Sequence, residues 1–215
     1  MVSIVIPIYI MDEELYALTK RTLEGLRQYD NLDIIIVDNN SLLDYSEEWM
    51  ELADTYIYNA VNYGNGIAWN QGYLLSKGDY IWYCDNDLNF IDSNTCSELV
   101  RTLGDEEVGV AFPLAKNKEE PHFNKQLSGF CWMTRRDVME KVGLISEDYG
   151  IANFEDTDFF IRCMKHEYIL KANPNTRVEH HSRATCDKMP EVADRYEINK
   201  AIYERKFGGV YPSLN

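Results

Sequence analysis

Two carboxylates one residue apart, Asp85 and Asp87, follow directly on a run of aromatic and apolar residues, 80–83. That run has the composition of a buried strand, so the two acids stand where a strand leaves the core. Like charges this close repel each other, and they lose solvation energy when they are covered. The pair is therefore either a solvated turn, a role common for Asp and Asn, or a site for a divalent metal ion.

Other acidic residues and two adjacent histidines extend the metal-site interpretation. They are Asp38, Glu155, Asp156, Asp158, His180 and His181. Carboxylates combined with phosphate oxygens and water suit Mg²⁺ or Mn²⁺, and an added imidazole shifts the preference toward Mn²⁺. An ion of this kind would neutralise a diphosphate and stabilise it as a leaving group.

Three common motifs of nucleotide-binding proteins and hydrolases are missing from the sequence. Neither the dinucleotide loop GxGxxG nor the phosphate loop GxxxxGK[ST] occurs, and no Gly-x-Ser-x-Gly marks a serine hydrolase. The segment Gly64-Asn65-Gly66 is a short GxG without a third glycine, and it follows a weak strand. A Rossmann dehydrogenase is thus the least favoured of the enzyme classes.

The composition is that of an ordinary globular protein, with 215 residues, 45% of them hydrophobic and 27% charged. No segment approaches the roughly 18 apolar residues of a membrane span, and the apolar N-terminus has no basic leader. The formal net charge of −15 disfavours nucleic-acid partners, which bind basic surfaces. The five cysteines form no CxxC pair, so we expect neither a disulfide framework nor a zinc site, and a cytoplasmic location.

Strands and helices alternate through the first half of the chain, which predicts an open, mostly parallel α/β sheet flanked by helices. The predicted strands are 2–6, 33–37, 55–58 and 80–83, and the predicted helices are 12–29, 44–53 and one that ends near residue 77. Ligands bind beyond the carboxyl ends of the strands in such sheets. Residues 7–9, 38–39 and 85–87 all follow strands, so we expect them on one rim.

The second half of the chain is less regular. Its predicted elements are helices at 92–103, 135–142, 155–165 and 191–207 and strands at 108–112, 126–134 and 177–181. The charged stretch 116–125 has no periodicity, which predicts a surface loop, with a mobile lid as the functional alternative. We expect one domain over 1–215, with a nucleotide-binding half at 1–100 and an acceptor-binding half at 101–215 that ends in a helix.

Seven segments in this order resemble the family 2 glycosyltransferases of GT-A fold, and most closely the bacterial rhamnosyl- and galactosyl-type transferases of surface polysaccharides. They are VSIVIPIY, DIIIVDNNS, NYGNGIAWNQG, DYIWYCDND, SGFCWMTRRDVMEKVG, FEDTDFFIR and HHSRAT. The resemblance covers residues 2 to about 209. One departure is the third segment, which has Asn-Tyr-Gly-Asn-Gly where Asn-x-Gly-x-Ala is commoner.

The resemblance implies a role for each matching residue. The residues implied to bind the nucleotide are Pro7, Tyr9, Asp38, Asn62, Gly64, Ala68, Asn70 and Asp85. Asp85 and Asp87 match the DXD motif, with Asp87 as the direct ligand of Mn²⁺ or Mg²⁺, and either His180 or His181 completes the metal site. Asp156 matches the catalytic base, and Arg162 matches an arginine that follows it on the same helix.

Several of these residues have a purely structural alternative. Tyr9 is one of 15 tyrosines, and Gly64 could serve only to shape a turn. Glu155 and Asp158 are interpreted as acids that favour the positive end of a helix dipole rather than as second bases. Trp132 is expected in the core, with an acceptor site as the alternative.

The resemblance implies a metal-dependent, inverting transferase that moves a sugar from a nucleotide-diphospho-sugar, UDP-linked, to a hydroxyl of a glycan or glycoconjugate. The chain lacks the long extension of processive relatives, so we expect one sugar per encounter, no transmembrane segment and at most peripheral membrane contact. Two alternatives stay open. A nucleotidyltransferase would need a glycine-rich basic loop near the N-terminus, where residues 7–10 have none, and a catalytically silent domain would bind nucleotide or glycan without turnover.

Overall fold

The computed structural model describes residues 1–116, 129–181 and 184–214. The strands are β1 (Val2–Ile8), β2 (Leu32–Asp38), β3 (Thr55–Tyr58), β4 (Tyr80–Cys84), β5 (Leu88–Phe90), β6 (Val108–Ala115), β7 (Cys131–Arg135) and β8 (Ile169–His180). The helices are α1 (Glu13–Leu26), α2 (Ser46–Leu52), α3 (Asn65–Leu75), α4 (Thr95–Thr102), α5 (Arg136–Val142), α6 (Glu155–Lys165) and α7 (Pro190–Phe207), and a short 3-10 helix spans Cys186–Lys188.

The strands form one sheet in the order β3-β2-β1-β4-β7-β6-β8-β5. The first four of these are mutually parallel, as the alternation of strand and helix predicts. Strand β7 is antiparallel to both β4 and β6, β8 is parallel to β6, and β5 is antiparallel to β8. The predicted α/β sheet flanked by helices is confirmed, and its parallel half carries the segments expected on one rim.

Strand β1 lies in the middle of the sheet and is buried in every residue. Its even-numbered residues, such as Ile4 and Ile6, pack in the cluster that includes Leu15 and Leu23 of α1. Val5 packs on the opposite face with Trp69 of α3. Because helices cover both faces, the strand is apolar throughout instead of alternating. Trp132 is fully buried in the same cluster as Val5, so the core interpretation of this tryptophan is confirmed.

Two strands differ from the prediction. β5 was not predicted, because three residues after a polar turn give too short a pattern to recognise. The last strand begins at Ile169 rather than 177, and its register with β6 shifts between Pro113 and Leu114. This irregularity breaks the alternation by which a sequence reveals a strand. Most of the predicted loop 116–125, and the start of the strand predicted at 126–134, lie outside the described residues.

Within the described ranges, none of the helices combines the length and the apolar character that a membrane crossing needs.

Candidate active site

Asp85 and Asp87 leave the end of β4 on the same side, because the residue between them is tied to the other side. The side-chain amide of Asn86 donates to Thr19 Oγ1 at 2.7 Å, and the backbone carbonyl of Asn86 accepts from Thr22 Oγ1 at 2.9 Å. Both threonines are fully buried on α1. The Asn of the Asp-Asn-Asp segment is therefore the anchor, and the two acids face a shared space.

The last residue of β8 brings a histidine to the two acids. Strand β8 pairs with β5, which places His180 opposite Leu88. The Nε2 atom of His180 lies 3.2 Å from Asp87 Oδ1 and 3.6 Å from Asp85 Oδ2. His181 points elsewhere, since its Nε2 lies 3.5 Å from Arg21 Nη1 on α1. Of the two histidines that the sequence left open, the geometry groups His180 with the acids.

This group of three side chains fits a divalent cation. Its candidate ligand atoms, one from each of Asp85, Asp87 and His180, lie within 4.8 Å of one another. Asp87 Oδ1 is buried, and among the described residues no donor forms a hydrogen bond with it. An anionic oxygen that is buried without a donor is costly unless a positive charge is nearby. Two carboxylates and an imidazole are a ligand set that suits Mn²⁺ and also Mg²⁺.

The electrostatics of Asp85 indicate the same need for positive charge. Desolvation in the cleft and then the neighbouring charges of Asp87 and Asp156 raise the pKa of Asp85 well above its usual range. Phe130 adds an apolar wall, because its ring stacks on that of His180 at 4.6 Å between centroids. Removal of water on this side strengthens every charge interaction at the site.

A second pair of acids enters the same cleft from the first turn of α6. Asp156 Oδ2 accepts from the backbone N–H of Gly129 at 2.7 Å, and Oδ1 accepts from the N–H of Thr157 at 2.6 Å. Burial raises the pKa of Asp156, and these hydrogen bonds partly offset the rise. A Cβ atom at position 129 would lie 2.5 Å from Asp156 Oδ2, so only glycine allows this approach.

Glu155, which the sequence analysis interprets as a helix-dipole acid, is a residue of the site. Its side chain lines the cleft, the residue is only 5% exposed, and Oε2 is buried without a donor among the described residues. Burial and the adjacent charge of Asp156 raise the pKa of Glu155 to about 8, although a hydrogen bond with Asn65 opposes the shift. A pKa raised in this direction favours the protonated form, in which Glu155 can donate a hydrogen bond.

Asp158, the other acid interpreted as a helix-dipole residue, has a structural role. It is buried and accepts from Arg162 Nε at 2.7 Å, Lys206 Nζ at 2.9 Å and Tyr149 OH at 2.9 Å. The Arg162 guanidinium also donates to the carbonyls of Val142 and Leu144 at 3.0 and 2.8 Å. This network joins α6 to α7 and to the loop after α5, behind the cleft.

The metal-site group and the two acids Glu155 and Asp156 line one cavity of about 430 Å³. Its polar end is lined by Pro7, Ile8, Tyr9, Asn39, Asn62, Asn65, Asp85, Asp87 and His180. Its other end is lined by Ile151, Ala152, Phe154, Met189, Val192 and Tyr196. The lining thus combines polar residues, largely apolar residues and the two acids of α6, so the cavity can accommodate two unlike ligands.

The chain matches the model of the family described as glycosyl transferase family 2 over residues 3–170. It belongs to glycosyl transferase family 2. Among curated relatives, the putative glycosyltransferase EpsH of Bacillus subtilis (strain 168) is 32% identical over 111 residues, which are 49% of this chain and 31% of the relative. The undecaprenyl-phosphate 4-deoxy-4-formamido-L-arabinose transferase of Proteus mirabilis (strain HI4320) is 26% identical over 221 residues, which are 96% of this chain and 61% of the relative.

Solved structures show the same fold. A mannosyltransferase, PcManGT from Pyrobaculum calidifontis, in complex with GDP-Man and Mn²⁺, has a TM-score of 0.73 at 18% identity and covers 95% of this chain and 64% of its own. GalNAc-T7 with UDP, GalNAc and Mn²⁺ has a TM-score of 0.70 at 17% identity and covers 84% of this chain and 43% of its own. The family 2 chain therefore has the GT-A fold, and it spans about a third to three fifths of the curated relatives above.

Within this family 2 domain, Pro7, Tyr9, Asn62 and Asp85 line the cavity, as expected of nucleotide-binding residues. Tyr9 also packs against an apolar cluster that contains Met189 of the segment before α7. Tyr9 thus contacts apolar residues of the other end of the cavity as well as lining the polar end.

Asp38 and Asn70 stand behind the cavity wall rather than on its surface. The Asp38 carboxylate accepts from Tyr56 OH at 2.9 Å and from the N–H of Ser41 at 2.7 Å. The Asn70 amide bonds both the N–H and the carbonyl of Ile145, at 3.0 and 2.9 Å. In this structure both side chains hold the rim, and their contact with the nucleotide stays a prediction.

Gly64 also has a supporting role in this family 2 domain. Its N–H donates to Asn62 Oδ1 at 2.9 Å, and its φ of +83° lies in the left-handed region. A Cβ atom there would lie 2.2 Å from the carbonyl oxygen of Gly150, so glycine is required where α3 meets the loop before α6. Gly64 shapes the turn that presents Asn62.

Asn39, which the sequence analysis did not single out, faces the cavity in place of its neighbour Asp38. Its Oδ1 accepts from Asn59 Nδ2 at 2.9 Å, and its Nδ2 lies 3.3 Å from the carbonyl oxygen of Gly64. Adjacent residues at the end of a strand point in opposite directions. Only the surroundings of β2 decide which of the two directions is the cavity.

Proposed function

We propose that this chain transfers a sugar from a nucleotide-diphospho-sugar, UDP-linked, to an acceptor hydroxyl of a glycan or glycoconjugate, with inversion at the anomeric carbon. One observation carries the proposal. The Asp85, Asp87 and His180 group and the hydrogen-bonded carboxylate of Asp156 face the same cavity of about 430 Å³. A site for a diphosphate-bound cation and a site for a base are both needed for this reaction, and both line this one space.

The donor would occupy the polar end of the cavity. Asp85, Asp87 and His180 would hold Mn²⁺ or Mg²⁺, whose charge would neutralise the diphosphate leaving group. Pro7, Tyr9 and the side-chain amides there would contact the base and ribose. The two structural neighbours described above were solved with GDP-Man and with UDP, so the fold itself accepts different bases, and UDP is part of the proposal.

Asp156 would act as the base. One of its carboxylate oxygens takes the proton of the acceptor hydroxyl as that oxygen forms a bond to the anomeric carbon. The bond from the anomeric carbon to the diphosphate oxygen breaks on the opposite face, which inverts the configuration without a covalent intermediate. The raised pKa of Asp156 makes it a stronger base, and general-base help of this kind contributes about 10²–10⁴-fold.

The acceptor is proposed to be a hydroxyl rather than a lipid phosphate. Several curated relatives are named for transfer to undecaprenyl phosphate. A phosphate oxygen is already ionised at neutral pH and needs no base. The positioned carboxylate of Asp156 therefore favours an acceptor that has a proton to lose. A cytoplasmic location, with peripheral contact to a membrane that carries a glycoconjugate, belongs to the same proposal.

The test is transfer or hydrolysis with UDP-, GDP- and dTDP-sugars in the presence of Mn²⁺, Mg²⁺ or EDTA. We expect metal-dependent release of one nucleotide by the wild type, lost in Asp87→Ala. In Asp156→Asn, nucleotide binding should persist while transfer falls by about 10²-fold or more. Asp30→Asn, at an exposed position after α1, is the matched control and should behave as the wild type.

Four results would contradict the proposal in different parts. Near-normal turnover by Asp156→Asn would remove Asp156 as the base. Full activity in EDTA would remove the metal. Nucleotide binding without turnover of any donor would favour the silent-domain alternative, whereas release of pyrophosphate from a nucleoside triphosphate and a sugar phosphate would identify a nucleotidyltransferase.

A further inference from the structure

The loop before α6 holds a strained backbone directly beside the proposed base. Asn153 and Phe154 both lie in the left-handed region, with φ of 75° and 78°, and neither is glycine. This conformation is unfavourable for a residue with a side chain, and it persists only where the surroundings hold it. The turn leads straight into α6, whose first helical hydrogen bond runs from the N–H of Asp158 to the carbonyl of Phe154 at 2.8 Å. The turn therefore sets the direction in which Glu155 and Asp156 enter the cavity.

One side chain of the C-terminal helix holds this turn. Asn199 of α7 is fully buried, and its Nδ2 lies 2.6 Å from the carbonyl oxygen of Tyr149, 2.8 Å from that of Ala152 and 3.4 Å from that of Asn153. A primary amide has two N–H groups, so the three carbonyl oxygens share the two hydrogens of one nitrogen. Asn199 Oδ1 is buried without a donor among the described residues. An amide kept in this position at the cost of an unsatisfied oxygen indicates that its donors matter.

Two further contacts hold this loop, one from α3 and one from α7. The N–H of Asn65, at the start of α3, donates to the carbonyl of Ile151 at 3.1 Å. The ring of Phe154 packs against Tyr196 and Tyr203 of α7, with centroids 5.4 and 5.5 Å apart. Aromatic packing resists translation of the turn, but only hydrogen bonds to its carbonyls fix the orientation of its peptide planes.

We propose that Asn199 is a positioning residue, which fixes the left-handed turn at Asn153 and Phe154 and thereby the orientation of Asp156. This inference rests on the proposed function of Asp156. Without the amide, the carbonyls of Tyr149, Ala152 and Asn153 lose the side-chain donor that they share, and the turn relaxes toward an ordinary backbone conformation. Asp156 then moves away from the N–H of Gly129, which donates to it across 2.7 Å.

The test replaces Asn199 by leucine, which has a similar volume and no donor. Tyr203→Phe is the matched control, because it deletes another hydrogen bond of α7, from Tyr203 OH to the carbonyl of Val210, and keeps the ring that packs on Phe154. Hydrogen–deuterium exchange over residues 149–156 reports on the turn. The value of kcat per folded enzyme, the KM for the donor and the pH–rate profile report on the base. Asn199→Ser, which keeps one donor, serves if the leucine variant does not fold.

We expect faster exchange over 149–156 in Asn199→Leu, kcat at least about ten-fold lower and a donor KM within about two-fold, because a misplaced base acts on the chemical step. The acid limb of the profile should move to higher pH, since Asp156 loses a hydrogen bond to its ionised form. Tyr203→Phe should be less stable with unchanged kcat. Unchanged exchange, or unchanged kcat despite faster exchange, would overturn the assignment. A wild type that turns over no donor would instead refute the proposed function, and this assignment with it.

Discussion

Glu155→Gln should be more stable than the wild type, by a margin that grows as the pH rises. The size of this margin follows from the burial of Glu155. The pKa of Glu155 is raised from 4.5 to about 8, first by burial and then by the charge of Asp156. Between these two values the folded protein keeps a proton that the unfolded chain releases. The free energy of unfolding therefore falls as the pH rises through this window, by up to about 1.4 kcal/mol per pH unit. Below pH 4.5 Glu155 does not lower the free energy of unfolding in this way, and above pH 8 the loss of free energy stays constant.

Glutamine has the shape of the protonated acid and does not titrate. From pH 5 to pH 8 the stability of Glu155→Gln relative to the wild type should rise by roughly 3–4 kcal/mol, the integral of the linkage over that interval. Urea unfolding at pH 5, 6, 7 and 8 in EDTA measures the difference directly. Glu106→Gln, at an exposed position before β6, is the control for loss of a negative charge.

The reasoning would be refuted if the stability curves of Glu155→Gln and the wild type ran parallel, with a difference that changed by less than about 0.5 kcal/mol, the usual size of a surface effect. In that case Glu155 would be ionised in the folded state at neutral pH. A parallel shift of the Glu106→Gln curve is expected and does not bear on this conclusion.

Three further predictions concern the geometry of the site. Gly129→Ala should lower kcat by about ten-fold or more with nucleotide affinity retained, because its Cβ would lie 2.5 Å from Asp156 Oδ2; single-turnover kinetics beside nucleotide titration check this, and an unchanged chemical step would contradict it. His180→Ala should weaken Mn²⁺ binding by about ten-fold or more while His181→Ala changes it little, and calorimetric titration in which both variants bind alike would remove the distinction. Thr22→Val should lower the free energy of unfolding by about 1–3 kcal/mol, since the hydroxyl bonds the backbone of residues 86 and 88; an unchanged urea midpoint would show that these bonds are dispensable.

The sequence alone was informative wherever the signal is local. The continuous apolar run of β1 predicts a strand covered on both faces, and the structure has helices on both. The alternation of strand and helix predicts the parallel half of the sheet and hence a common rim for three polar segments. The spacing of Asp85 and Asp87 predicts that both point the same way, because side chains alternate along an extended chain.

Local patterns could not decide which of two adjacent residues faces the cavity. The side chains of Asp38 and Asn39 point in opposite directions, and so do those of His180 and His181. In each case the sequence supplies both residues and the strand fixes their alternation. Elements from elsewhere in the chain decide which of the two directions faces the cavity. Arg21 of α1 contacts His181, and Tyr56 of β3 contacts Asp38.

Glu155 shows why the chemical state of a site residue depends on the tertiary structure. An acid in the first turn of a helix is stabilised by the helix dipole wherever the helix lies, so the sequence gives the same signal for a solvated acid and for a buried one. Burial is a property of the whole fold, and here it changes an ordinary glutamate into a proton donor with a pKa of about 8. The sequence by itself determined which chemical groups stand at the ends of which elements. Only the packing of those elements decided which groups meet and how much water reaches them, because contacts between distant residues leave no periodicity in the chain.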